Sequence, residues 1–337
     1  MTFLPAPVLP GADELVERAH VVRLPMSVRF RGVMEREALL LEGPAGWGEF
    51  SPFLEYDDAE SSRWLACGIE AAWEGLPAPV RESVPVNATV PAVPAAEVEG
   101  VLAKYDAAGT VKIKVAEKRQ TLADDVARVG AVRSVLPHAK IRVDANQGWG
   151  HDEALIALEE LAPFGLEYAE QPVRGIEGLA RLREELARRG LPVPIAADES
   201  VRKAEDPLAV ARAGAADLIV VKAQPLGGVR AALRIVEEAG LPAVVSSALD
   251  TSVGLRIGAA LAGALPSLPH ACGLGTGSLF TADVARPAYV ANDGALDLRA
   301  VEAEPELLAA SRVSPEREAW WHERLRRCHA VLSAERG

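Results

Sequence analysis

From residue 96 to residue 264 the chain alternates short apolar runs with longer stretches whose apolar positions recur three and four residues apart. The first pattern predicts buried parallel strands and the second amphipathic helices. Strands are expected at 111–115, 141–144, 166–170, 193–198, 217–222 and 242–246. Helices are expected at 96–108, 122–136, 152–163, 176–189, 207–213, 228–239 and 252–264. Gly109, Gly190, Gly214 and Gly240 stand where helices should stop, because a left-handed cap costs glycine least. A further strand is expected within 84–90. Strand ends recur every 24 to 30 residues, one strand plus one helix per step, which is the repeat of a parallel α/β barrel.

The flanks read differently. Residues 16–24, 33–42 and 47–50 form a β-rich meander with turn chemistry at Gly32 and at 43–46, and 57–73 has the acidic start and apolar spacing of a helix. The link 25–32 reads equally as a loop over a pocket and as the end of a hairpin. Near the C-terminus a turn-rich hairpin surrounds Asn292-Asp293-Gly294, and a helix at 315–332 carries Trp320, Trp321 and Leu325 for packing back on the first domain. Residues 1–83, completed by 285–337, are therefore assigned to a smaller domain and 84–284 to the barrel.

Chemistry is concentrated at the strand ends. Lys112 and Lys114 are two residues apart in an apolar run, so a strand puts both on one face. That pattern alone also fits a solvated edge strand. The following runs end in Asp144, Glu170, Asp198, Lys222 and Ser246, and parallel barrel strands bring all these ends to one rim. Three carboxylates at one rim repel unless a cation joins them, and an all-oxygen set suits Mg²⁺, then Mn²⁺, far ahead of Zn²⁺. Strand parity places Glu167 on the face opposite Glu170, and Glu199 next to Asp198 is read as a supporting group. A lysine acting as base must be neutral, and lowering its pKa from about 10.4 toward 7 or 8 takes roughly 4 kcal/mol. A second lysine and a dication nearby supply that push. Such a rim could take the α-proton of a bound carboxylate and leave an enediolate whose charge the metal holds.

Composition narrows the partners. The formal net charge of −12 over 337 residues argues against nucleic acid. Cys67, Cys272 and Cys328 are odd in number and lack metal-type spacing, as expected of free thiols in a reducing compartment. Residues 1–15 lack a basic-then-apolar leader, and no apolar run nears the roughly 18 residues of a membrane span. A cytoplasmic protein with a small carboxylate substrate is expected. The Gly273–Gly277 stretch lacks a dinucleotide fingerprint. Its backbone amides read equally as closing on a substrate carboxylate and as part of a plain flexible loop.

The motifs Lys112-Ile113-Lys114, Asp144-Ala145-Asn146-Gln147-Gly148-Trp149, Glu170-Gln171-Pro172, Ala197-Asp198-Glu199-Ser200 and Val221-Lys222, with Gly46-Trp47-Gly48-Glu49 upstream, resemble the enolase superfamily and its muconate-cycloisomerase-like subgroup. The pairing of a lysine base with Mg²⁺ is a known property of that superfamily. The resemblance implies a modified (β/α)₇β TIM-type barrel with an α+β capping domain. It implies Lys114 and Lys222 as catalytic groups, Lys112 as their support, and Asp144, Glu170 and Asp198 as metal ligands. Arg142 and Asn146, flanking Asp144, are expected to support them, and the backbone amides of 246–248 and 275–277 to bind a carboxylate of the substrate. Dipeptide epimerases of the subgroup carry an Asp-x-Asp pair after the last strands, where this chain has Gly273-Leu274-Gly275-Thr276-Gly277-Ser278. The compact cap resembles that of o-succinylbenzoate synthases, which implies a syn-dehydration in menaquinone biosynthesis. N-acylamino acid racemization and dipeptide epimerization are the alternatives, and a non-catalytic metabolite-binding barrel is the remaining one.

Overall fold

The computed structural model describes residues 9–30, 33–201 and 206–336. The expected turn at Gly32 and the first eight residues lie outside these. Helix α1 (Ala12–Glu17) occupies the start of what the pattern assigns to a strand, with Asp13 and Glu14 at its positive end. An antiparallel sheet follows in the order β1 (Ala19–Phe30), β2 (Val33–Gly43), β3 (Gly46–Phe50). The β1–β2 register holds to Pro25–Glu35, shifts, and resumes at Phe30–Val33. As far as it is described, the 25–32 link is a hairpin arm.

Helix α2 (Asp58–Ile69) is capped by Asp57, which accepts from the Glu60 amide at 2.8 Å. It presses against β3 so closely that a Cβ on Gly48 would lie 2.0 Å from the Gly68 carbonyl oxygen. This contact explains the second glycine of Gly46-Trp47-Gly48-Glu49 as a matter of space.

The run at 84–90 splits in two. Strand β4 (Ser83–Pro85) leaves the barrel, whereas β5 (Ala88–Val90) begins it. After a short α3 (Val98–Leu102) come β6 (Thr110–Lys114), α4 (Leu122–Val135), β7 (Lys140–Asp144), α5 (His151–Leu161), β8 (Leu166–Glu170) and α6 (Gly175–Arg189). The alternation continues with β9 (Ile195–Ala197), α7 (Asp206–Arg212), β10 (Leu218–Val221), α8 (Val229–Ala239), β11 (Ala243–Val245) and α9 (Ser252–Ala264). Helix α3 is shorter than 96–108 predicts. Gly100 lies within it, and Tyr105 beyond it is bound through its hydroxyl to the Thr89 backbone at 3.1 Å. Gly190 and Gly240 end α6 and α8 in left-handed conformations.

The seven strands β5 to β11 are hydrogen-bonded in sequence order and run parallel. Residues 272 and 273 bridge both edges. Cys272 pairs with Val86 and Gly273 with Ser246, with the Cys272 amide donating to Pro85 at 2.7 Å and the Gly273 amide to Val245 at 2.8 Å. The sheet thus closes into a barrel whose eighth member is this short segment.

The chain then returns to the cap. Strand β12 (Ala295–Asp297) pairs antiparallel with β4, α10 (Pro305–Ala310) follows, and α11 (Pro315–Ala334) lies on α2. Trp321, Leu325, Cys328 and Leu332 join Phe50, Phe53, Trp64 and Leu65 in one apolar cluster. Buried Arg324 donates to the Phe53 and Tyr56 carbonyls at 2.8 and 2.9 Å. Among the described residues no helix is long and apolar enough to cross a membrane.

Gly48→Ala is expected to destabilise the protein by roughly 2 kcal/mol or more, since backbone must move to admit the methyl. Thermal melts of both proteins check this, and an unchanged Tm would refute the close-approach account.

Candidate active site

The strand register assembles the rim. Lys114 is the cross-strand partner of Asp144, and Asp144 of Glu170. Lys114 Nζ lies 2.6 Å from Asp144 Oδ2 and also meets Asn146 Oδ1. Lys112 Nζ bridges two acids, 3.0 Å from Glu170 Oε1 and 3.2 Å from Asp144 Oδ2. Lys222, just past β10, pairs with Asp198, just past β9. Lys112, Lys114, Asp144, Asp198 and Lys222 line one cavity of about 580 Å³, and Glu170 is buried behind Lys112. Three strands, β7 to β9, lie between those of Lys114 and Lys222, so the two residues are four steps apart in an eight-membered ring and come from opposite sides of the barrel.

Electrostatics at the rim are tightly balanced. Burial opposes ionisation of Asp144, but Lys114 and Lys112 outweigh it and hold the carboxyl well below its usual range. Asp198 is likewise lowered, burial being outweighed by Lys222. Glu170 is pushed up to about 7 by burial and then by Asp144 and Asp198, with Lys112 offsetting them in part. Burial works against the Lys112 ammonium, yet Glu170 and Asp144 prevail and raise it well above the ordinary lysine value.

Among the described residues no three acidic, histidine or cysteine side chains are grouped to enclose an ion as they stand; lysine ammonium groups lie against the three carboxylates. This balance holds only while all three lysines are protonated. Should one surrender its proton to act as base, the acids lack one positive charge. An all-oxygen donor set then suits a hard divalent cation. The residues fit such an ion on those grounds.

Several neighbours differ from expectation. Arg142 does not support the rim: its Nε donates to Glu167 Oε2 at 2.6 Å and its Nη1 to Asn87 Oδ1 and the Ala271 carbonyl at 3.2 and 2.7 Å, deeper in the barrel. The β7–β8 register shifts between Ile141 and Arg142, so the parity count that sent Glu167 away from the interior fails at the shift. Glu199 lines the cavity and accepts from Asn146 Nδ2 at 3.0 Å. The amides of Ser246, Ser247 and Ala248 are committed to Val221 O, Gly273 O and Asp250 Oδ2, so they cannot cradle a substrate. The hydroxyls of Ser247 and Thr276, 2.8 Å apart, line the cavity instead.

Residues not singled out by the sequence complete the site. Gln171 Oε1 accepts from the Asp198 and Ser200 amides at 3.0 and 3.2 Å and fixes the Asp198 turn; its signal is its place after Glu170. Phe53, Tyr56, Glu60 and Trp64 of the cap form the opposite wall.

Family models described as Enolase C-terminal domain-like and Enolase N-terminal domain-like match residues 95–303 and 21–72. The chain is 52% identical over 335 residues to the o-succinylbenzoate synthase of Mycobacterium marinum, covering 98% of this chain and 100% of that protein. The chain belongs to the o-succinylbenzoate synthase family of the enolase superfamily. The Mycobacterium tuberculosis member of this family is 53% identical over 327 residues, covering 97% of this chain and 98% of that protein. Among solved structures, muconate lactonizing enzyme from Pseudomonas putida superposes with a TM-score of 0.72 at 22% identity, covering 88% of this chain and 98% of that one. Muconate cycloisomerase from Pseudomonas fluorescens gives 0.74 at 24%, with the same coverage. These two establish the shared fold. Members of the superfamily use a divalent metal, which agrees with the donor set.

The lower barrel layer is separate from the rim. Burial opposes the Glu167 charge, but His270 at 2.9 Å and Arg142 outweigh it and bring the carboxyl down to about 2. Its stabilising contribution is therefore full above the usual glutamate value and is lost as pH falls toward 2. Arg142→Met is expected to cost on the order of 3 kcal/mol at neutral pH by removing the buried guanidinium paired with Glu167, which keeps only His270 and Lys140, read by urea denaturation. A smaller loss at pH 3 than at pH 7 is the matching sign, and equal losses would refute the pairing.

Proposed function

We propose that this chain dehydrates 2-succinyl-6-hydroxy-2,4-cyclohexadiene-1-carboxylate to 2-succinylbenzoate, the o-succinylbenzoate synthase reaction of menaquinone biosynthesis. The observation that carries the reading is the pair Lys114 and Lys222, from opposite sides of one cavity, beside the carboxylates of Asp144, Glu170 and Asp198. A hydrolyase of this kind needs a base over the α-carbon, a cation on the other face and a dry pocket.

Lys114, as the free amine, would take the α-proton. The hydroxyl leaves from the same ring face, so the Lys114 ammonium would return the proton to it and water departs. One residue serving both ends is what a syn elimination requires, and the ring becomes aromatic as the C–O bond breaks. Lys222 would stay protonated on the opposite face and stabilise charge spread over the carboxylate. Lys112 would support both through its bonds to Asp144 and Glu170.

Asp144, Glu170 and Asp198 would hold Mg²⁺, with Mn²⁺ as a substitute. Bound there, the ion would supply positive charge to the substrate carboxylate as the α-proton is lost. Phe53, Tyr56 and Trp64, packed edge to face or tilted at 5.7 to 6.2 Å between ring centres, would exclude water from the ring. The cysteines are all buried and free, as suits the cytoplasm.

Lys114→Ala is expected to lower kcat by several orders of magnitude while circular dichroism stays unchanged. EDTA should abolish turnover and added Mg²⁺ restore it. The assay follows 2-succinylbenzoate formation. Solvent deuterium exchange into N-succinylamino acids that outpaces dehydration would overturn the assignment in favour of a racemase. Full activity in Lys114→Ala would remove the catalytic account altogether.

A further inference from the structure

Cap and barrel share a buried network that the chemistry above does not use. Glu49, in β3, is fully buried and reaches the barrel. Its Oε1 accepts from Ser51 Oγ at 2.6 Å and Gln224 Nε2 at 3.4 Å. Its Oε2 accepts from Thr251 Oγ1 at 2.5 Å and from the amides of Thr251 and Gly254 at 3.1 and 3.0 Å. Those amides open α9, so a carboxylate of the cap closes the N-terminus of a barrel helix.

Asp250 lies beside it, 5% exposed, accepting from Gln224 Nε2 at 3.0 Å and the Ala248 amide at 3.3 Å. The packing is close: a Cβ on Gly254 would sit 2.6 Å from Glu49 Oε2 and 2.7 Å from Asp250 Cβ. Arg36 of β2 approaches from the other side. Its Nε donates to Leu249 O at 3.1 Å and its Nη2 to Ala248 O at 3.4 Å and to Ser51 O, while its guanidinium stacks 4.3 Å over Phe53.

These bonds converge on a wall of the cavity. Ala248 and Leu249 line it, and Leu249 holds φ at +61°, a conformation that persists in a leucine only when its surroundings enforce it. Asp250 holds the Ala248 amide, and Arg36 holds both carbonyls. Arg36 and Lys222 act on the pair, Cys67 lies near both carboxyls with Glu70 on its other side, and Asp283 is bonded to Ser252 at the same helix start. Lys222 is engaged by Asp198 and Glu70 by Arg230, which leaves two carboxyls against Arg36. A second uncompensated charge there is costly. Glu49 accepts five hydrogen bonds and Asp250 two, so the Asp250 carboxylate is the less compensated of the two.

We propose that Glu49, Asp250 and Arg36 form a clasp, two buried carboxyls bridged by Gln224 and set against one guanidinium, that positions the Ala248–Leu249 wall for substrate. Asp250 is thus a positioning residue for the reaction proposed above, on which this role rests. Burial and then Glu49 push Asp250 up to about 7. Burial raises Glu49 as well. Because the folded Asp250 value lies above the unfolded one, the contribution of Asp250 is full below its unfolded value and is lost as pH rises through 7.

Asp250→Asn fixes a neutral group in place, so the variant and wild type are compared from pH 5.5 to 8.5 with Mg²⁺ present. Wild-type Tm should fall relative to the variant across pH 7. Wild-type KM for the dehydration substrate should rise on the order of fivefold relative to the variant, because fewer molecules hold the competent wall, with kcat little changed. Glu49→Gln should raise KM at every pH. A variant Tm that tracks wild type across pH 7, or a kcat loss at constant KM, overturns the clasp. The melts need no substrate, so they decide the clasp even where the wild type fails to dehydrate and the functional reading falls.

Discussion

Everything at the rim depends on keeping two buried carboxylates and the partly buried Asp198 next to positive charge. Asp144 and Glu170 are about 1% exposed, and transferring an ionised carboxylate from water to such a place is prohibitive without a partner. The barrel meets this by strand register: Lys114 is placed directly across from Asp144, and Lys112 reaches both Asp144 and Glu170. The same register makes the site reactive. The acids demand cations, and a base must be an amine that stops being one, so the lysines cannot satisfy the acids alone during turnover. A hard ion held there would resolve the conflict, because it would compensate the acids and disfavour the charged amine at once.

Side-chain pairing is reinforced by backbone geometry. Ala116, Asn146, Gln147, Gln171 and Leu249 all take positive φ without being glycine, and all stand just beyond strand ends at the rim. A strand that simply continued would carry its next side chain outward. Turning through the left-handed region lets the chain leave at once, with Asn146 bound back to the Asp144 carboxylate at 3.1 Å and Gln171 bonded to the Asp198 amide. Strain of this kind survives only where neighbours over-determine it, and here the neighbours are the site residues themselves.

How much of this the sequence disclosed follows from which interactions are local. The alternation of period-2 runs and helical spacing depends on neighbours within a few residues, so the strands ending at Lys114, Asp144 and Glu170 and the helices between them were legible. So was the gathering of Lys112, Lys114, Asp144, Asp198 and Lys222 on one rim, because parallel topology alone brings them there. The failures are non-local. Glu167 was misplaced because a register shift between β7 and β8 breaks parity, and neither strand's sequence encodes that shift by itself. The amides of 246–248 were credited with a free role because their acceptors, at Val221, Gly273 and Asp250, come from other elements. The cap wall of Phe53, Tyr56 and Trp64 was invisible as such, since an aromatic residue in the loop before a helix or on its face reads as core until docking shows what it faces.

Docking is also where the two domains stop being separable. The barrel supplies the charged chemistry, yet its rim is open, and dehydration in a pocket already full of water gains little from preorganised charge. The cap closes it with an apolar wall, and that wall is anchored through Arg36, whose guanidinium touches Phe53 on one side and the carbonyls of Ala248 and Leu249 on the other. One cation therefore fixes a cap aromatic relative to a barrel loop. Any shift of the cap must move the Leu249 backbone, already in a conformation it would not choose alone. Substrate recognition in this fold is accordingly a property of the interface, and the acids that hold the interface together act on the site without touching what it binds.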